Sequence, residues 1–163
     1  MANKILYGIA ILGWMLIIFS LSARNSVEST GDSRGFATNV VTVCASFANR
    51  LGIIKEMPSD SEIASFVRKI DHPIRKCAHA TIYFVLALLV LLALETNADN
   101  FVRNAIVAVI ICFLYAMTDE YHQTFVPGRS GELKDCLIDS MGAGLACCFY
   151  GIGAIVAKRR KEK

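Results

Sequence analysis

Nine residues in the middle and second half of the chain stand at spacings that put their side chains together. Lys76, His79 and Tyr83 are spaced i, i+3, i+7; Tyr115, Asp119 and His122 are spaced i, i+4, i+7; Asp135, Asp139 and Gly142 repeat that second spacing. On helices each trio shares one side of its cylinder. Arg75, Glu120, Gln123 and Arg129 lie close by in sequence. Two chemistries suit such a set. Histidine titrates near neutrality and a carboxylate can hold its tautomer, so His79 or His122 with Asp119 or Asp139 forms a candidate general acid-base pair. Arg75, Lys76 and Arg129 suit an anionic ligand, because a guanidinium donates two parallel hydrogen bonds to a phosphate. Tyr83, Tyr115, Glu120, Gln123 and Asp135 would then line the site, orient the basic groups or accept hydrogen bonds from sugar hydroxyls. A third reading needs no ligand: the same charges can neutralise one another as a structural network. Two histidines among carboxylates also resemble a metal set in kind. However, DEYHQ is not HExxH, and no serine or cysteine stands in a recognisable nucleophile elbow. No residue is therefore assigned to a metal, and a cofactor is left open.

The elements that must carry these residues are apolar. The 163 residues suit one domain, taken as 1–163, and are 55% hydrophobic against 19% charged, above the ~45–50% apolar fraction of a soluble domain. Mean hydropathy is +0.49. The apolar residues are gathered into blocks, which points to a lipid bilayer as the chain's surroundings. A net charge of +3, with Lys158, Arg159, Arg160, Lys161 and Lys163 crowded into one tail, excludes a nucleic-acid binder. Nineteen uncharged residues separate Lys4 from Arg24. That run is longer than the ~7–15-residue core of a signal peptide, so a retained first span is expected. Further spans are expected at about 74–94, 98–117 and 136–157. Between the first two spans, 25–35 reads as an irregular connection. Phe36, Val40, Val43, Phe47 and Leu51 then recur at helical spacing, and after Pro58 a Ser59–Glu62 capping box introduces Ile63, Phe66, Val67 and Ile70. The expected fold is all-α: an integral membrane bundle of four transmembrane helices plus one or two interfacial amphipathic helices. Of the six cysteines, Cys77, Cys112, Cys147 and Cys148 fall in expected spans, Cys44 on an amphipathic segment and Cys136 in a polar loop. They are read as packing residues.

Four spans return both termini to one side. The basic tail puts that side in the cytoplasm of a multi-pass protein of the cell membrane, although basic residues in the long loop pull the other way. The second and fourth spans would present their N-termini, and the dipoles that favour anions, to the three polar stripes. Ionisable groups at membrane depth are costly unless they face protein or water and find partners, so three stripes at one level imply a shared polar pocket.

Three blocks carry a resemblance: IFSLSA in the first span, RKCAHATIYFVL, and YAMTDEYHQTFVPGRSGELKDCLIDSMGA. Together they resemble the VanZ-like family of bacterial membrane proteins. The third block matches the family's DExHQ, PGR and D-x-x-x-D-x-x-G-A patterns at Asp119, Glu120, His122, Gln123, Pro127, Gly128, Arg129, Asp135, Asp139, Gly142 and Ala143, and Lys76 with His79 meets its K-x-x-H element. The resemblance implies an envelope role associated with tolerance to teicoplanin-type glycopeptides. The expected partners are the lipid bilayer and a lipid-linked cell-wall precursor or isoprenoid phosphate, bound or shielded. The alternative is a membrane-embedded hydrolase or transferase acting on such a lipid.

Overall fold

A computed structural model describes residues 2–161. Among them the chain forms five helices and no strand: α1 (Ala2–Ser22), α2 (Ser26–Arg50), α3 (Asp60–Ala93), α4 (Phe101–Gln123) and α5 (Leu133–Lys161). α1, α3, α4 and α5 are long and apolar enough to cross a membrane. α3 is central, touching each of the other four helices, and α5 packs against α3 and α4.

The bundle exposes many large apolar side chains and buries several polar ones, among them Ser22, Asn104, Asp119, Glu120, Gln123 and Asp139. Along α5, Leu133, Leu137, Met141, Leu145, Phe149, Ile152 and Val156 recur every three or four residues, and all are exposed. The inward face of the same helix carries Cys136, Asp139, Ala143, Ala146 and Cys147, all buried. Lipid tails are as apolar as leucine, so such a face gains nothing by turning inward, and small inward residues let backbones approach. Gly142 is the closest case. A β-carbon there would overlap the carbonyl oxygen of Ala80 and sit 2.7 Å from its carbonyl carbon.

Cys136 lies within α5 at 2% exposure and belongs to the core, not to a polar loop. Two other expectations also change. Residues 25–35 are not irregular, since α2 begins at Ser26. Asn25 caps it by accepting the Glu28 N–H at 2.9 Å. Gly31 and Gly35 each weaken a helix by ~1 kcal/mol relative to alanine, but the segment is held from outside. Ser33 donates to the buried carboxylate of Asp71 on α3, Arg34 pairs with the same carboxylate at 3.5 Å, and Arg24 pairs with Asp32. Ala37 is buried against Ile63 and Val67. The stripe Phe36, Val40, Val43, Phe47 and Leu51 is left exposed, as an interfacial helix requires.

The second amphipathic pattern and the second span are likewise a single 34-residue helix that runs through Pro73. Its capping box forms as expected, with the Ser59 N–H donating to Glu62 Oε2 at 2.8 Å. Proline supplies no N–H to the preceding turn, yet α2 packs beside both flanks of Pro73, against Val67 and Ile74. At 1.5 Å per residue α3 is ~51 Å long, ~20 Å more than a ~30 Å hydrocarbon core. Lys76 and His79 therefore sit in mid-helix, and no α3 N-terminus faces the polar stripes.

Candidate functional site

The end of α1, the middle of α3, the end of α4 and the start of α5 meet at one end of the bundle. There the middle of α3, the end of α4, the turn before α5 and the start of α5 enclose, with the start of α2, a polar cavity of about 190 Å³. A water needs ~10–15 Å³ of such volume, so the space holds on the order of ten waters or one small polar head group.

Two of its walls differ in character. On the α4–α5 side Asp135 and Glu120 are already engaged. Lys76 Nζ reaches across from α3 to Asp135 Oδ1 at 2.6 Å. Glu120 Oε2 accepts the Glu132 backbone N–H at 2.9 Å, and Gln123 Nε2 reaches Glu120 Oε1 and Asp119 Oδ2, each at 3.3 Å. One N–H at the entrance to α5, that of Glu132, is thus occupied by Glu120. On the other wall stand Arg75 and His79 of α3, and Arg129. The turn before α5 positions Arg129. Gly128 has φ +76°, and a β-carbon there would lie 2.8 Å from Ser26 Oγ. The Ser26 N–H reaches the Pro127 carbonyl at 3.5 Å, and the Arg129 N–H donates to the Val126 carbonyl at 3.1 Å. The PGR turn is therefore pinned to the start of α2 and directs Arg129 inward. Burial, then the neighbouring Arg75 guanidinium, lower the pKa of Arg129 from its ordinary value, against the pull of Asp119 and Glu120.

A second layer lies one helical turn deeper. Tyr83 follows His79, Asp119 precedes Gln123 and Asp139 follows Asp135; all three are buried, at 0%, 2% and 1% exposure. The Tyr83 hydroxyl, Asp119 Oδ1 and Asp139 Oδ2 make no hydrogen bond. Leaving such groups unsatisfied costs ~1–3 kcal/mol each, or more when charged.

Of the twelve candidate residues, Arg75, Lys76, His79, Glu120, Gln123, Arg129, Asp135 and Asp139 line the cavity. Tyr83 and Asp119 form its underlayer. Tyr115 and His122 do not reach it. The Tyr115 hydroxyl donates to the Met15 carbonyl of α1 at 2.5 Å, and the His122 ring lies on Phe19 with centroids 4.2 Å apart. The two histidines thus occupy different environments. Sequence reasoning missed Ser26, Ser29 and His72, which reach the cavity only because α2 folds back on an unbroken α3. Glu132 was also missed, although it lies inside the PGR block, three residues before Asp135. Among the described residues no group of three or more histidine, cysteine or acidic side chains is arranged to hold a metal ion.

The profile of the VanZ/LLP1 family matches residues 7–154, a range that contains every residue of both layers. No curated protein and no solved structure matches the chain.

Proposed function

The chain belongs to the VanZ/LLP1 family, and from that premise we propose that it binds the phosphate head of a cell-envelope lipid, a lipid-linked wall precursor or its isoprenoid carrier. Through that binding it contributes to tolerance of teicoplanin-type glycopeptides. The observation that supports this reading is the pair Arg75 and Arg129. Both line the same polar cavity, yet among the described residues neither makes an ion pair. The Nε of each is buried without a hydrogen-bond partner. Two guanidinium groups in that position are stabilised by a shared anion, and phosphate matches their geometry. Lys76 is committed to Asp135 and shapes the wall.

The test is retention of a polyprenyl phosphate by the full chain in lipid nanodiscs. Charge-assisted hydrogen bonds contribute ~1.5–3 kcal/mol, so Arg129→Lys should weaken retention roughly tenfold or more while the protein still accumulates in the membrane. Undiminished retention by Arg129→Lys removes the fork. No retention by the unaltered protein removes the reading. His79 shares the wall with both arginines, so phosphate release that disappears in His79→Gln would favour the enzymatic alternative.

A further inference from the structure

An apolar groove of about 620 Å³ lies between the end of α1, the start of α2 and the middle of α3. It is not separate from the polar cavity. Ser29, Arg75, His79 and Arg129 line both. No carboxylate is among these four shared residues, although the cavity beyond them holds Glu120, Glu132, Asp135 and Asp139. Positive charge is thus concentrated where an apolar channel opens into a polar one. Phe36, Cys77, Ala78 and Thr81 on the groove wall are exposed, so the groove is open along the outward side of the bundle.

We infer that the ligand is a single-chain phosphate amphiphile taken sideways from the bilayer, its chain in the α1–α2–α3 groove and its phosphate at the Arg75–Arg129 junction. This rests on the cavity being a phosphate-head site and adds the chain to it. A soluble phosphate would use the cavity and leave the groove unfilled; a neutral lipid would fill the groove and leave the arginines unpaired. The apolar groove meets the polar cavity at the arginines, and so gives one chain a place beside the head. Charge complementarity and the shared residues select this occupant.

Trp14 reports on the groove. It is the only tryptophan of the chain, and its Nε1 donates at 2.8 Å to the carbonyl of Ile82 on the groove wall. Farnesyl phosphate, farnesol and methyl phosphate are titrated into the purified full chain in detergent micelles, with affinities from calorimetry and Trp14 emission recorded in parallel. Farnesyl phosphate should shift the emission and bind roughly tenfold or more tighter than methyl phosphate, because apolar contact area adds to the head's interactions. Ala78→Phe and Thr81→Phe, each filling the groove from an exposed position, should reduce farnesyl phosphate to about the methyl phosphate level; unchanged methyl phosphate affinity shows that the fold and the head site survive.

Equal affinity for the two phosphates, or farnesyl phosphate binding unchanged in both groove variants, overturns the inference while the head site stands. Farnesol binding as tightly as farnesyl phosphate overturns the assignment of the junction. Phosphatidic acid displacing farnesyl phosphate at equal concentration overturns the single chain. Failure of both phosphates to bind the unaltered protein removes the head site itself.

Discussion

His79 and His122 have the same chemistry and are placed for different work. His79 stands on the cavity wall beside Arg75 and Arg129, whereas His122 packs its ring on Phe19 of α1. His79→Gln should lose ligand retention while stability stays within ~0.5 kcal/mol, as for a substitution outside the core. His122→Gln should lose ~0.5–1.5 kcal/mol with the ring contact, and retention only in proportion. Paired melting and retention on the same purified variants decide it; the opposite assignment follows if His122→Gln alone abolishes binding. The Lys76–Asp135 pair has side chains 29% and 33% exposed. Water therefore screens it, and Asp135→Asn should cost about 1 kcal/mol rather than the ~3–5 of a fully buried pair broken on one side. A loss above ~3 kcal/mol in chemical denaturation would show the pair to be effectively dry.

Helices in this bundle are joined by two different devices. α3 and α5 touch backbone to backbone at Gly142, where any β-carbon meets the Ala80 carbonyl. Gly142→Ala should cost ~1–3 kcal/mol by overpacking, while Gly144→Ala, with nothing near its β-carbon, should be neutral or slightly stabilising. Melting of the two variants side by side checks the contact. α2 is joined differently: α3 is the one helix it packs on, through the Asp71 carboxylate and the small cluster of Ala37, Ile63 and Val67, with its first residue also held by the Pro127 carbonyl. Asp71→Ala should free α2, costing ~1–3 kcal/mol locally, and hydrogen exchange should rise over 26–50 before it rises in α4 or α5. Uniform exchange across the bundle would mean that α2 is part of the global unit and not a separately opening one. Since Ser29 of α2 lines both cavity and groove, the same variant should also weaken retention of a polyprenyl phosphate.

Seen as one body, the molecule has a polar end and a plain end. The cavity lies where α1 finishes and α5 begins; the beginning of α1 and the end of α5 lie at the other end, held to the loop after α3 by Lys4–Glu95 and Lys158–Asp99 ion pairs at 3.6 and 2.7 Å. The basic tail favours the cytoplasm for that plain end. A reporter that fluoresces only in the cytoplasm, fused to the C-terminus, should be active, and an enzyme reporter that requires the exterior should be silent there. That outcome puts the cavity at the outer leaflet, facing the wall. The reverse outcome leaves the cavity and its arginines intact but turns them to the cytoplasm, where a carrier phosphate can be met and an external wall polymer cannot.

Blocks of apolar residues determined the four spans by themselves, because a bilayer imposes a length and a composition on whatever crosses it. Helical spacing alone put Lys76 with His79 and Asp135 with Asp139, and an even number of spans brought those stripes to one end. The capping box at Ser59 and Glu62 was local and therefore legible. The helix from Ser26 was not, since its glycines argue against it and Asp71, thirty-eight positions beyond its partner Ser33, argues for it. The continuity of α3 through Pro73, with α2 lying alongside, was likewise not written in the local sequence. Which cations are spent and which are free was also tertiary: Lys76, Arg75 and Arg129 are alike in sequence, and only the packing of α3 against α5 gave Lys76 to Asp135 and left the two arginines facing a cavity. The separation of His79 from His122 has the same origin, because periodicity assigns a face to a residue but not the neighbour which that face will meet.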